Sequence, residues 1–215
     1  GCSQNKSKVK NKKDYSKKNN EEEEMSDFDF IEHYGDSEEV KGEEQLDENE
    51  AISSLNCAVI GIGGGGGKMA KAFLDIGFNK ALLVNTTAKD IPEGVDEKHV
   101  VLIPDADGIG KDVNLGKTIF EDNGAVVEDA LRTKLGNVDW LFVLAGGGGG
   151  TGSAAASLHG VFERYLKSVS AGGSIVYVVS QPSAQEALNS TISKNAASLL
   201  KDVSKHAHII LDNER

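Results

Sequence analysis

Gly61 to Met69 reads GIGGGGGKM, and Val143 to Ser157 reads VLAGGGGGTGSAAAS. Each stretch leaves an apolar run and enters a segment with helical spacing. Glycine permits positive φ and lets the main chain come close to a ligand. A helix N-terminus adds unpaired N–H groups and a dipole that favours an anion. Gly63, Gly64, Gly65 and Gly66, with Lys68 after them, therefore form one candidate phosphate cradle. Gly147, Gly148, Gly149, Gly150 and Gly152 form a second, to which Thr151 and Ser153 add hydroxyl donors. Close packing of a strand on a helix accounts for one or two glycines, not for two runs of five. Two cradles on one sheet edge suit a polyphosphate gripped from two sides.

Three kinds of phosphate loop compete. A P-loop, G-x-x-x-x-G-K-[ST], ending at Gly67 and Lys68 needs glycine at 62 and a hydroxyl at 69, where Ile62 and Met69 stand. A second near miss, Gly116-Lys117-Thr118, needs glycine at 111 and meets Lys111. Gly61, Gly63 and Gly66 satisfy the dinucleotide fingerprint G-x-G-x-x-G, a weak match inside a glycine run. That fingerprint also wants an acid at the end of the second strand, and Asn85 holds that place. Neither pattern explains a second glycine stretch later in the chain.

The elements that must position these turns alternate. Apolar runs occur at 57–62, 81–85, 99–103, 138–145, 174–180 and 208–211, rich in Val, Ile and Leu and apolar on both faces, as central strands of a parallel sheet are. Met69, Phe73 and Ile76 recur at helical spacing, predicting a helix over 68–77. Val126, Val127, Ala130, Leu131 and Leu135 do so again, and Leu158, Val161, Phe162, Tyr165 and Leu166 mark a helix over 154–167. The expected fold is α/β: a three-layer, Rossmann-like, mostly parallel sheet with helices on both faces. Right-handed crossovers then gather the loops after the strands on one edge, where ligands bind in such folds.

Charge divides the chain of 215 residues, whose net charge is -11. Residues 1–20 hold seven lysines and one aspartate, and residues 21–50 hold fifteen acids and one lysine. So polar a segment cannot bury enough surface to offset its ordering entropy, so 1–52 reads as a disordered charged tail and 53–215 as one folded domain. The tail's lysines suit an acidic surface such as a membrane, and the neighbouring acids compete, so no specific nucleic-acid binding is expected. Gly1, Cys2 and these lysines also fit a doubly acylated anchor, although Asn5 stands where Ser or Thr is usual. No run of eighteen apolar residues occurs, and the two cysteines, Cys2 and Cys57, suggest neither a disulfide framework nor a metal site. The chain reads as cytoplasmic, with membrane association through the tail as an option.

GGGTGS, Gly148 to Ser153, resembles the signature loop of the tubulin and FtsZ family of nucleotide-dependent filament formers. The likeness continues in chain order. IGIGGGGGKM is similar to that family's first phosphate loop. VNTTA, Val84 to Ala88, resembles its N-T-D-A loop, with Asn85 kept and Thr87 where the acid stands. GIGKDVNLG resembles the loop that closes over the γ-phosphate, keeping Gly108, Gly110 and Asn114. VVSQPSAQEA resembles the ribose-side loop, with Glu186 at the ribose-contacting acid, and ILDNE resembles the segment whose Asn, here Asn213, contacts guanine.

The resemblance implies GTP or GDP held with Mg2+, self-association into filaments, and GTP hydrolysis completed by a neighbouring subunit. An Asn side chain, carrying donor and acceptor, can read guanine's edge. Departures weaken the base and ribose assignments: Thr87 replaces an acid, Ala154 a glycine, and Ser190 an arginine, while Lys111 and Asp112 stand where small residues are usual. Family members continue into a central helix and a loop with catalytic acids, so this chain is expected to be a fragment and no catalytic residue is assigned in it. The alternatives are a nucleotide-binding switch or adaptor that does not hydrolyse, and an NAD-binding oxidoreductase, which Asn85 disfavours.

Overall fold

The computed structural model describes residues 56–104, 106–170 and 172–213. The tail expected over 1–52, with Gly1 and Cys2, lies outside the described residues. Six strands form one sheet: β1 (Cys57–Ile62), β2 (Ala81–Asn85), β3 (Val100–Leu102), β4 (Trp140–Gly146), β5 (Ser174–Ser180) and β6 (His208–Leu211). Every pairing is parallel and the order is β3-β2-β1-β4-β5-β6. The order reverses between β1 and β4, the place where doubly wound sheets open a crevice at the strands' carboxyl ends.

Alternation along β1 assigns its side chains to two layers. Val59 packs with Ala70, Ala81, Leu83 and Leu144 beneath α1 (Gly63–Asp75). Ala58, Ile60 and Ile62 face the larger layer. That layer is closed by Phe120 of α2 (Val113–Asp122), Leu131 of α3 (Gly124–Leu135), Phe162 and Tyr165, and Leu199 and Val203. The last four belong to α5 (His159–Val169) and α7 (Ser190–Val203). Two short helices complete the inventory, α4 (Gly150–Ser153) and α6 (Ala184–Ala187). Each large aliphatic or aromatic side chain buried in this way stabilises the fold by about 1.5–3 kcal/mol. Both-face burial holds for the central strands only; all four residues of the edge strand β6 are exposed. No helix among the described residues is long and apolar enough to cross a membrane.

Two helix boundaries differ from the periodic pattern. α1 starts at Gly63, not at 68, so the five glycines are its first turns. Steric contact explains this. A Cβ on Gly65 would lie 3.1 Å from the Gly146 Cα, and one on Gly66 would strike the Leu144 carbonyl oxygen. Gly63 turns the chain into the helix at φ 70°, and a Cβ there would sit 2.7 Å from the Gly152 nitrogen. The segment expected as one helix over 154–167 is broken: α4 ends at Ser153 with Ala154 as its C-cap, a 3-10 turn spans Ala155–Leu158, and α5 runs to Val169.

In the middle of β5 the buried Tyr177 hydroxyl lies 2.9 Å from Nδ1 of His159. The rings of His159 and His206 stack with centroids 3.7 Å apart, and Glu163 approaches Nε2 at 3.8 Å. Burial, then the neighbouring His206, push His159 below the ordinary histidine value, against the pull of Glu163. Protonation of His159 therefore favours the unfolded chain.

Gly66→Ala should destabilise the domain by about 3 kcal/mol in urea unfolding, because a backbone carbonyl must move. Gly149→Ala, with open space at its Cβ, should change stability by less than about 0.5 kcal/mol. The melting temperature should fall as pH drops through about 6.5, and His159→Gln should flatten that fall.

Candidate phosphate-binding site

Because β1 and β4 are parallel neighbours, with Ile62 opposite Ala145, both glycine turns leave the sheet side by side. They bound a single cavity of about 430 Å³ at the carboxyl edge. Gly64, Gly65, Lys68 and Met69 of α1 form one wall. Gly146 to Gly150, Thr151 and Gly152 form the facing wall. Gly110 and Lys111 close one end. Ser180, Pro182, Glu186 and Asn213, from the segments after β5 and β6, close the other.

Neither α1 nor α4 carries an acid in its first turn, so nothing on either helix opposes an anion there. Gly147 N–H donates to the Ser180 carbonyl (2.9 Å), and Gly150 N–H to the Gly110 carbonyl (3.0 Å). Both bonds tie the second turn to other segments that line the cavity.

The sequence-selected side chains divide into those that reach the cavity and those that support it. Lys68, Thr151, Glu186 and Asn213 line it, as do Gly64, Gly65, Gly110, Gly147, Gly148, Gly149, Gly150 and Gly152. Gly63 and Gly66 lie behind it, in the contact between the two turns. Ser153 is fully buried, and its Oγ accepts from Gly148 N–H at 3.2 Å, so it shapes the turn from below. Asn85 is buried at the end of β2, with Oδ1 accepting from Thr86 N–H at 2.8 Å and Nδ2 without a partner among the described residues. Asn114 is exposed in the first turn of α2, on a neighbouring depression lined by Ile109, Val113 and Thr191.

Three of the lining groups are already engaged. Thr151 Oγ1 lies 3.0 Å from Thr86 Oγ1, and both residues are buried. Glu186 accepts from Ser183 N–H and Oγ in a capping box at the start of α6. Those bonds from Ser183, then the charge of Lys68, hold the Glu186 carboxyl below the usual range, so it is an anion at neutral pH. Asn213 Oδ1 accepts from Ser180 Oγ at 2.9 Å.

Motif spacing did not single out Asp90, which lines the cavity beside Gly64. It stands three positions after Thr87, the place where the resemblance calls for an acid. Asp112 is the N-cap of α2, its Oδ1 accepting from Leu115 N–H at 3.0 Å, a role that an Asp ahead of a helix signals. Asn195, on α7, was invisible to motif reasoning and bonds to two of the cavity's turns.

A doubly wound parallel sheet whose switch point carries two glycine turns is a nucleotide-binding α/β architecture. Residues 56–215 match the GTPase domain of the Tubulin/FtsZ family, and the chain belongs to that family. It is 28% identical over 164 residues to the cell division protein FtsZ 1 of Pyrococcus horikoshii, covering 73% of this chain and 41% of that protein. Among solved structures it is similar to CetZ from Methanosaeta thermophila, with TM-score 0.64 and 27% identity, over 74% of this chain and 46% of that one. It is also similar to CetZ2 from Haloferax volcanii, solved as a GTPγS-bound protofilament, with TM-score 0.60 and 30% identity, over 74% and 49% of the two chains. The chain thus spans under half the length of these relatives.

Thr86→Val should destabilise the domain by about 1–3 kcal/mol, since it leaves the Thr151 hydroxyl buried and unpaired. The double variant Thr86→Val/Thr151→Val should recover part of that loss in urea unfolding. A double-variant loss equal to the sum of the two single-variant losses would show that the pair is not coupled.

Proposed function

We propose that the chain is the nucleotide-binding portion of a GTP-dependent filament protein. The observation that carries this reading is the single cavity walled by both glycine turns. In this reading main-chain N–H groups at the start of α1 and in the turn after β4 hold the phosphates of GTP or GDP. Lys68 and Lys111, both on the cavity wall, add positive charge. Glu186 accepts from a ribose hydroxyl, and Asn213 reads the guanine edge once it exchanges its bond to Ser180 for one to the base.

Asp90 is the carboxylate on the wall beside the α1 N-terminus, and Glu186 is tied to Ser183. Asp90 is therefore the residue that would hold Mg2+, whose bound charge neutralises phosphate oxygens. Acids of a neighbouring subunit complete hydrolysis, and the partner is a second copy of the protein. The protofilament form of the Haloferax volcanii relative supports that partner.

Titration of the protein with GTP, ATP and NAD in magnesium tests the assignment. Preferential GTP binding is expected, weakened about ten-fold or more by Asn213→Ala, the worth of roughly one charged or well-formed hydrogen bond. Tight NAD binding without GTP affinity would overturn it. Sedimentation of the protein with GTP and magnesium, but not with GDP, would support filament formation.

A further inference from the structure

Asn195 sits on α7, is 7% exposed, and serves two separate turns. Its Nδ2 donates to the carbonyl of Lys111 at 2.9 Å and to the carbonyl of Gly148 at 3.0 Å. The amide orientation is fixed by chemistry, since a side-chain oxygen could accept nothing from two carbonyls. Both of its amide hydrogens are thereby used.

We propose that Asn195 is a positioning residue for the terminal phosphate of a bound nucleoside triphosphate, a role that rests on the nucleotide-binding reading above. The argument concerns one peptide unit. In a trans peptide the C=O and the following N–H point in opposite directions. Drawing the Gly148 carbonyl onto Asn195 therefore turns the Gly149 N–H away from α7. Gly149 lines the cavity, and its N–H has no partner among the described residues. The unit cannot swing freely on its other side either, because Gly148 N–H is held by Ser153 Oγ at 3.2 Å.

The second bond extends the effect. By holding the Lys111 carbonyl, Asn195 ties the turn at 108–112 to the turn at 146–150. The Gly150 N–H bond to the Gly110 carbonyl reinforces that tie. Lys111 and Gly149 then approach a ligand as one preformed unit, so no ordering cost falls on the ligand. A diphosphate that ends short of this unit gains little from it, whereas a triphosphate gains fully. Asn195 thus biases the site towards the triphosphate form without touching the nucleotide.

Asn195→Ala in the full chain tests this, with GTPγS and GDP affinities measured by calorimetry in magnesium. GTPγS affinity should fall about ten-fold and GDP affinity by less than about three-fold, the difference expected for losing one oriented N–H to a charged oxygen. Amide hydrogen exchange without nucleotide should quicken together in peptides covering 108–112 and 146–150. Should the alanine variant fail to fold, Asn195→Ser retains one donor and should show the same direction at roughly a third of the effect. Equal losses for both nucleotides, or faster exchange in only one turn, would overturn the proposal. Wild-type protein that binds neither nucleotide sinks the functional reading and this role with it. Wild-type binding with an unchanged triphosphate-to-diphosphate ratio in the variant sinks this role alone.

Discussion

β1 and β4 pair in parallel from Cys57 opposite Trp140 to Ile62 opposite Ala145, so both leave the sheet at the same edge and the same level. Whatever follows the two strands must share one small space. Side chains cannot fill it, because the backbones approach within contact distance there. The added Cβ positions at Gly65 and Gly146 each fall near 3.1–3.2 Å from the other's Cα. The glycine composition is thus set first by the closeness of two main chains. The phosphate-sized cavity is the space that this closeness leaves open above the sheet.

Five glycines at a helix start are costly, each weaker than alanine by about 1 kcal/mol in a helix interior. α1 forms nonetheless because its later turns bury Ala70, Met69 and Leu74 against Val59, Leu83 and Leu144. Packing of the far end overrides the poor propensity of the near end, as tertiary contacts do for many helices. The outcome serves the site, since bare main-chain N–H groups are presented with no side chain between them and the cavity.

That override explains where the sequence was legible and where it was not. Four strands, β1, β2, β5 and β6, fall on the apolar runs: β1 and β2 because a buried parallel strand announces itself by composition, and β6 because its residues after His208 are apolar although it is exposed at the sheet edge. β3 is shortened because His99 closes a 3-10 turn and sends its Nδ1 to the Ala81 carbonyl. The α1 boundary was hidden because periodicity cannot be read through residues without side chains. α2 and α7 carry no obvious apolar stripe in their first turns, where Asn114, Ser190 and Thr191 stand, and they were not marked. At the site, residues whose main chain faces the cavity were legible from composition and order. Asn85 and Ser153 are buried and Asn114 lies on a neighbouring depression, positions that a motif does not reveal, because it records place along the chain and not the direction in which a side chain leaves it. Asn195 shows the converse: its role depends on contacts 84 and 47 residues away, which no local pattern encodes.

Polar groups beneath the cavity follow a consistent rule. Thr86 pairs with Thr151, Ser153 holds Gly148, and Asn195 holds two carbonyls, so the buried groups are bonded to one another and fix the turns. Among the described residues, Asn85 Nδ2 is the buried side-chain nitrogen or oxygen without a partner. A lone donor of this kind costs about 1–3 kcal/mol. It stands at the carboxyl end of β2, directly before Thr86, and not in either hydrophobic layer. Local costs of this kind persist at functional edges, where the surrounding fold over-determines them. Among the described residues, this unmet buried side-chain donor lies at the sheet edge where the glycine turns present their own N–H groups.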